Sequence, residues 1–302
     1  MIVVKLSGGL GNQMFQYTLV KLLRYIGREV EMDISAYQYI NDHYGPELLS
    51  VFNLDMSPSL EKSFYSYNRR ESIIRKYIYY TDKYVFFPCV SLYKMRHLFS
   101  FYCRKYHLER KELNSIVSRY DEIQDLDDCI LIGWANPDFF AEIQFELKKD
   151  FVFTVPDRLQ DILFNIRHTN SVSIHVRRGD YLKSQNRNNS IALPKSYYDQ
   201  ACSIIEEREE DIMYYIFSDD ENYIKQTYLN SNIVIVNCNT SNYAYYDMYL
   251  MSQCKHNIVA NSTFSWWAAW LNSNENKIVV SPKYWYDNVL FIPCKNWIVL
   301  DF

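Results

Sequence analysis

The sequence predicts an α/β protein of two Rossmann-like domains, on three observations. A buried strand, a glycine-rich turn, a helix and a second strand open the chain between Ile2 and Ile34. The second half repeats the alternation of short apolar strands and helices. The 302 residues suffice for two domains of about 150 residues each. We therefore expect an N-terminal domain over 1–155 and a C-terminal domain over 156–302.

The opening elements are read from hydrophobic periodicity. Ile2 to Leu6 is an apolar strand, Ser7 to Gln13 is the turn, and an apolar stripe predicts a helix from Met14 to Ile26. Glu29 to Ile34 is the second strand. This order is the start of a parallel βαβ unit.

The glycine turn resembles a dinucleotide fingerprint but lacks its third glycine. After Gly9 and Gly11 the next glycine would stand at position 14, where the chain has Met14. A nicotinamide or flavin enzyme is therefore disfavoured. Asn12 and Gln13 bring two amides to a helix N-terminus, and Asn12 fits either a ligand contact or a helix cap.

The central motif is the stretch Ser173–Tyr181, an apolar strand that ends in charged residues. Alternation along a strand would place His175 and Arg177 on one face, and Gly179 would let the chain turn before Asp180. An imidazole and a guanidinium at a strand end suit an anion such as phosphate. A structural Arg–Asp ion pair is the alternative.

Acidic residues at two predicted helix starts fit capping. Asp138 would cap a helix over 138–149, and Asp219 would cap a helix that follows the strand 214–217. A further helix over 243–254 carries Asp247.

A cluster of hydroxyl groups follows the predicted strand 257–260. Asn261 to Ser265 places three hydroxyls and one amide before a helix over 266–272. Hydroxyls beside helix N-terminal amides suit phosphate, and a capping cluster is the alternative.

The window 69–111 is basic and rich in aromatic residues, with eleven Lys and Arg against three acidic residues. Such a segment fits an anionic membrane surface or solvated helices packed on a domain. The net charge of −4 and the pI near 5.9 give no global attraction to nucleic acid.

Seven widely spaced cysteines favour a reducing compartment over a disulfide framework or a zinc site. We expect neither a signal peptide nor a transmembrane helix, since no apolar run reaches about 18 residues. We expect a cytoplasmic protein, with peripheral contact at the inner face of the membrane as the added hypothesis.

Four stretches together resemble the α-1,2-fucosyltransferases of glycosyltransferase family 11. They are Gly8–Tyr17, His175–Tyr181, Phe217–Asp220 and Asn261–Trp270, in matching order and spacing from residue 1 to about residue 298. The resemblance implies a GT-B architecture, in which two Rossmann-like domains face each other across a cleft. It also implies GDP-fucose as donor, inversion at the anomeric carbon, and no cofactor or metal.

The resemblance also assigns roles to residues. A transferase must neutralise the charge that develops on the departing diphosphate, and Arg177 with His175 is the predicted source. Asp247 resembles a carboxylate that reads guanine, since a carboxylate accepts two N–H bonds at once. Asn12 matches a residue that faces the reacting centre. Asp180 is either the general base or a brace for an arginine. The remaining predicted donor contacts are Gly9, Gly11, Arg178, Asp219, Asp220, Asn261, Ser262, Thr263, Phe264 and Ser265.

Two departures from the family pattern lie where the acceptor would bind. The acceptor-side segment reads Gly133-Trp134-Ala135-Asn136, and a Thr-His-Gly segment is absent from 182–193, which reads as a polar loop at the mouth of a site. The predicted function is fucosyl transfer to the 2-hydroxyl of a terminal β-galactoside in an O-antigen or capsule precursor, which a lipid carrier could hold. The alternatives are transfer of another GDP-linked deoxyhexose and a non-catalytic sugar-nucleotide or glycan-binding protein.

Overall fold

The computed structural model forms two compact units, Met1–Phe151 and Val152–Phe302, each described by itself. The division follows residue 151, against 155 in the sequence analysis. The basic window apart from 109–112, the segment 133–136 and residues 184–191 of the polar loop lie outside the described residues. The described residues are 2–34, 37, 45–54, 109–112, 129–132, 137–183, 192–228, 230–237, 243–286, 289–290 and 293–301.

Unit 1 contains a parallel four-stranded sheet in the order β2-β1-β4-β3. Strand β1 lies inside the sheet, with β2 on one side and β4 on the other. The strand order therefore reverses between β1 and β4. Within the described residues of this unit the elements are, in chain order, β1 Ile2–Lys5, α1 Leu10–Tyr25, β2 Val30–Asp33, α2 Glu47–Val51, β3 Glu109–Glu112, β4 Cys129–Ile132, a 3-10 helix Pro137–Ile143 and α3 Gln144–Asp150.

The structure corrects two helix starts in unit 1. Helix α1 begins at Leu10, because Gly8 turns the chain with φ +77° and Gly9 is the extended N-cap residue. Asn12 therefore lies inside the first turn and is not the cap. The predicted helix 138–149 begins as a 3-10 helix at Pro137, so Asp138 lies within that turn instead of capping an α-helix.

Unit 2 contains a parallel six-stranded sheet in the order β12-β9-β8-β5-β6-β7, with a separate antiparallel pair, β10 and β11. Its elements are a 3-10 helix Asp157–Leu159, α4 Gln160–His168, β5 Asn170–Val176, α5 Gly179–Lys183, α6 Lys195–Glu206, β6 Ile212–Ser218, α7 Glu221–Thr227, β7 Ile233–Val236, α8 Tyr245–Gln253, β8 His256–Ile258, α9 Thr263–Leu271, β9 Val279–Pro282, β10 Tyr284–Tyr286, β11 Val289–Leu290 and β12 Ile298–Leu300. The prediction of an α/β fold with parallel sheets is confirmed.

The sheet of unit 2 is buried around β5, which pairs with β6 on one side and β8 on the other. Val172, Ile174 and Val176 belong to the apolar core cluster that also holds Tyr197 and Ala201 of α6. The strand order reverses between β5 and β8. In open α/β sheets, ligands bind beyond the carboxyl ends of the strands at such a reversal. A ligand site is therefore expected beyond the carboxyl ends of β5, β6 and β8.

Candidate active site

Arg177 follows directly after β5, at the reversal of strand order. The strand ends at Val176, so the predicted alternation of His175 and Arg177 does not extend to the arginine. The Nη1 atom of Arg177 lies 2.8 Å from Oδ2 of Asp219, at the end of the neighbouring strand β6. The side chain of Arg177 keeps 30% of its surface exposed. Arg177 is thus a paired cation that is still open to solvent.

Arg178 is held more completely than Arg177. Its backbone N–H donates to Oδ1 of Asp219 at 2.8 Å, and its Nε lies 3.2 Å from Oδ2 of Asp220. Its guanidinium carbon lies 3.5 Å from the ring centroid of Tyr223. A charged, stacked and partly buried guanidinium is fixed by three kinds of contact. These contacts of Arg178 are all with groups of the protein itself. Its contact with the donor stays a prediction.

Asp219 and Asp220 make different contacts with the two arginines. Asp220, and not Asp219 as the sequence analysis expected, caps α7, since its side chain accepts from the Tyr223 N–H at 3.1 Å. Asp219 binds Arg177 and the backbone of Arg178. The approach is close, because a Cβ atom at Gly179 would lie 2.9 Å from Oδ2 of Asp219. The side chain of Asp180 is outside the described part of the chain, so its role as base or brace stays open.

His175 is buried beside this cluster and is uncharged at neutral pH. Burial, helped by the positive charge of Arg177 and opposed by Asp219, lowers the pKa of His175 to about 4. The imidazole ring packs against the ring of Phe264 at 5.8 Å between centroids. Its Nδ1 atom has no hydrogen-bond partner among the described residues. A neutral imidazole with an unused nitrogen can donate one hydrogen bond to an anion.

The turn after β8 is joined to the turn after β5. The hydroxyl of Tyr181 donates to the backbone oxygen of Asn261 at 2.8 Å, and Nδ2 of Asn261 donates to the backbone oxygen of Trp285 at 2.7 Å. Helix α9 begins at Thr263 instead of Trp266, so Thr263, Phe264 and Ser265 form its first turn. Two loops at the strand-order reversal are thereby fixed to each other.

The hydroxyls of this turn are used internally. Ser262 is the N-cap of α9 and accepts from the Phe264 N–H. The hydroxyl of Ser265 accepts from the Ala260 N–H at 3.2 Å and can donate to the backbone oxygen of Ser262 at 3.4 Å. The capping alternative thus holds for these two serines. Their contact with phosphate stays a prediction that would depend on backbone N–H groups.

Asp247 lies in the first turn of α8, which follows β7 and begins at the carboxyl edge of the sheet. The guanidinium of Arg158 lies 5.5 Å from the Tyr243 ring and 5.4 Å from the Tyr246 ring. Tyr243 is exposed and stacks near-parallel on Tyr246. Asp247 follows directly after Tyr246 in this first turn, and its reading of guanine stays a prediction.

The glycine turn of unit 1 is closed by amide side chains. Gln13 donates through Nε2 to the backbone oxygens of Gly8 and Gly45 and accepts from the Leu48 N–H. Gln16 accepts from the Ser7 N–H. Gln13 is fully buried and therefore structural, whereas Asn12 is half-buried.

Glu47 is a residue that the sequence analysis missed. Its carboxylate accepts a hydrogen bond from the Leu10 N–H at the start of α1, and burial raises its pKa. The carboxyl group of Glu47 thus lies at the turn that contains Gly9 and Gly11, whose donor contacts stay predictions. The sequence Pro46-Glu47 is typical of a helix start and could have indicated α2. The pairing with Leu10, 37 positions earlier, has no sequence signature.

Tyr181 and Tyr223 also received no role from the sequence. Tyr181 stands in the central motif, and Tyr223 stands three residues after the cap Asp220. Their positions were visible, but their partners lie on other elements. Within the described ranges, no three His, Cys, Asp or Glu side chains could hold a metal ion, and no helix is long and apolar enough to cross a membrane.

Comparison with known proteins identifies the family. Residues 104–300 match the model of glycosyl transferase family 11. The O-antigen biosynthesis glycosyltransferase WbnK of Escherichia coli is 31% identical over 98% of this chain and 99% of its own.

Two further relatives differ in their extent. The alpha-1,2-colitosyltransferase of Escherichia coli is 29% identical over 99% of both chains. The mouse galactoside alpha-(1,2)-fucosyltransferase 1 is 30% identical over 44% of this chain and 38% of its own. With its motifs, its parallel sheets and a full-length match to WbnK, the chain belongs to glycosyl transferase family 11.

Proposed function

We propose that this glycosyltransferase moves L-fucose from GDP-fucose, with inversion, to the 2-hydroxyl of a terminal β-galactoside. The acceptor would belong to a cell-surface glycan precursor of the O-antigen or capsule type. In the reaction the acceptor oxygen bonds to C1 of fucose, and the bond from C1 to the phosphate oxygen breaks. The hydroxyl proton passes to a base, for which Asp180 is the candidate.

The observation that carries the proposal is the partly exposed side chain of Arg177 at the strand-order reversal. Departure of GDP places an additional negative charge on the diphosphate. A preorganised cation at that point stabilises the transition state more than the ground state. His175, kept neutral by burial, would add one hydrogen bond through its unused nitrogen.

The names of the relatives support the linkage and the class of sugar. One is an alpha-1,2-colitosyltransferase, one a galactoside alpha-(1,2)-fucosyltransferase, and one acts in O-antigen biosynthesis. Asn12 would face the reacting centre, and Asp247 would select guanine. The charge of Arg177, with a hydrogen bond from His175, would replace a metal ion, and the reaction would then be independent of divalent cations.

The test is an assay with GDP-fucose and a panel of β-galactosides, with and without EDTA. We expect GDP release in step with a product whose NMR spectrum shows an α-1,2 linkage, at equal rates in both conditions. A requirement for divalent metal would contradict the metal-free mechanism. GDP binding without turnover on any acceptor would favour the non-catalytic alternative.

A second candidate donor is GDP-colitose, which the 29% identical relative favours by its name. Colitose is fucose without the 3-hydroxyl, so competition between the two GDP sugars separates the candidates. A kcat/KM that is higher for GDP-colitose would replace fucose by colitose in the proposal.

Peripheral membrane contact through residues 69–111 would bring the enzyme to a lipid-linked acceptor. Co-sedimentation with anionic liposomes tests this contact. Failure to bind them would remove the membrane from the proposal and leave the transfer reaction unaffected.

A further inference from the structure

The carboxylate of Asp219 is the centre of the charged cluster at the strand-order reversal. One oxygen, Oδ2, lies 2.8 Å from Nη1 of Arg177, and the other, Oδ1, accepts from the backbone N–H of Arg178 at 2.8 Å. Both carboxylate oxygens therefore contact the segment that follows β5. A carboxylate engaged on both oxygens has less capacity left for a ligand.

The surroundings of Asp219 include that segment, the end of β5 and helix α6. Gly179 approaches so closely that a Cβ there would lie 2.9 Å from Oδ2. His175 and Tyr198 lie close enough to Asp219 for its charge to act on their ionisation. Asp219 thus binds or borders the turn at several points.

Asp220 provides an internal comparison, because it is the next residue and carries the same group. It holds Arg178 and caps α7, and Arg178 is also stacked on Tyr223. The guanidinium carbon of Arg177 lies 5.8 Å from the Tyr181 ring centroid, a longer distance than the 3.5 Å between Arg178 and Tyr223. The guanidinium groups of the two arginines are thus paired with different carboxylates, that of Arg177 with Asp219 and that of Arg178 with Asp220.

From these contacts we infer that Asp219 is a positioning residue that aims Arg177 at the departing diphosphate and does not itself contact the nucleotide. The inference rests on the proposed function for the ligand of Arg177. It assigns Asp219 a role different from the donor contact that the sequence predicted. A fixed guanidinium needs no reorientation when charge develops, and misplacement by about 1 Å can cost on the order of 10²-fold in rate.

The decisive variant is Asp219→Asn, which keeps the size and one acceptor oxygen but removes the charge that holds Arg177. We expect kcat to fall by about tenfold to a hundredfold. The Kd for GDP should stay within about threefold of wild type, because the cation remains free to reach the phosphate. A nucleotide contact through Asp219 would instead weaken GDP binding by roughly tenfold or more.

A measurement without turnover separates this inference from the proposed function. Phenylglyoxal modifies accessible arginines, and mass spectrometry reads the rate at Arg177. We expect Arg177 to react several-fold faster in Asp219→Asn than in wild type, whatever the donor sugar is. The matched control is Asp199→Asn, which breaks the surface pair with Lys195 in the same unit and should change neither quantity by more than about twofold.

Gly179→Ala is the second variant in case Asp219→Asn folds poorly. Its methyl group would press on the same carboxylate without changing any charge. It should also lower kcat more than it weakens GDP binding. Parallel loss of kcat and GDP affinity in a folded variant, or unchanged kcat and labelling in Asp219→Asn, would overturn the inference. Absence of any GDP binding by the wild-type protein would instead refute the proposed function.

Discussion

The two units place a turn at the same topological position and build it from different chemistry. In each sheet a central strand, β1 or β5, is followed by a turn where the strand order reverses. In unit 1 the turn is closed by the amides of Gln13 and Gln16. In unit 2 it is held by Arg–carboxylate pairs.

The comparison indicates that the topology of each sheet determines where the turn lies, and that the charged side chains in the turn determine whether it can bind an anion. The N-terminus of α1 already receives the carboxylate of Glu47. The turn of unit 2 instead leaves the cation of Arg177 partly open. The side-chain amides of the first turn thus bind the protein's own backbone, whereas the second turn contains a cation, Arg177, that can bind an anion.

The largest expected effect comes from removing the exposed cation. Arg177→Ala should lower kcat by about 10²–10³-fold, because one donor to developing charge is lost. Initial rates of GDP release measure it. Arg167→Ala is the matched control, since Arg167 is an exposed arginine of the same unit that contacts Gln253. A near-wild-type rate for Arg177→Ala would break the comparison between the two turns.

The second prediction is that the two turns respond to pH in opposite directions. Burial lowers the pKa of His175 to about 4, so its contribution to stability is complete above pH 6.5 and is lost as the pH falls towards 4. The loss amounts to about 3 kcal/mol over that window. Glu47 has a raised pKa, so its contribution is complete below pH 4.5 and is lost as the pH rises.

Urea unfolding at a series of pH values, in wild type, His175→Gln and Glu47→Gln, measures both contributions. The difference between wild type and His175→Gln should shrink on acidification. The difference in the free energy of unfolding between wild type and Glu47→Gln should instead shrink as the pH rises. Equal pH profiles for wild type and His175→Gln would show that the imidazole titrates normally.

A third prediction concerns the steric closure of the turn in unit 1. Gly8 and Gly27 both have positive φ, but a Cβ at Gly8 would lie 2.5 Å from Nδ2 of Asn12, whereas nothing lies within 4 Å at Gly27. Gly27→Ala should cost about 1 kcal/mol for its backbone conformation. Gly8→Ala should cost roughly 2 kcal/mol more through overpacking. Equal urea midpoints would mean that Asn12 moves aside freely.

The smallest expected effect is the loss of a helix cap in unit 2. Asp220→Ala should lower the free energy of unfolding by about 1 kcal/mol, since the Tyr223 N–H loses its acceptor and Arg178 loses a partly exposed ion pair. Asp199→Ala removes only an exposed ion pair and should cost about 0.5 kcal/mol or less. A cost for Asp220→Ala no larger than this control would argue against the cap.

Periodicity and topology were predictable from the sequence, because alternation and apolar stripes are local. The strands at Ile2–Lys5 and Asn170–Val176 and the parallel α/β order follow from such signals. Helix starts were less accurate: α1 begins four residues before the predicted Met14, because Gly8 and Gly9 complete the turn early.

The partners of the charged residues were not predictable to the same degree. Arg177, Arg178, Asp219 and Asp220 were all selected, yet which carboxylate caps and which aims an arginine depends on the register of β5 against β6. Glu47 was missed because its hydrogen bond joins residues far apart in the chain.

The tryptophans give unit 2 an optical signature of its own. Five of the six indoles belong to it, namely Trp266, Trp267, Trp270, Trp285 and Trp297. Trp266 and Trp267 are fully buried in α9, with ring centroids 5.1 Å apart and planes at 76°. Indoles coupled at fixed angles produce a near-ultraviolet circular dichroism band that vanishes when their packing loosens. That band should therefore follow the melting of the second unit, since the first unit contains a single indole, Trp134.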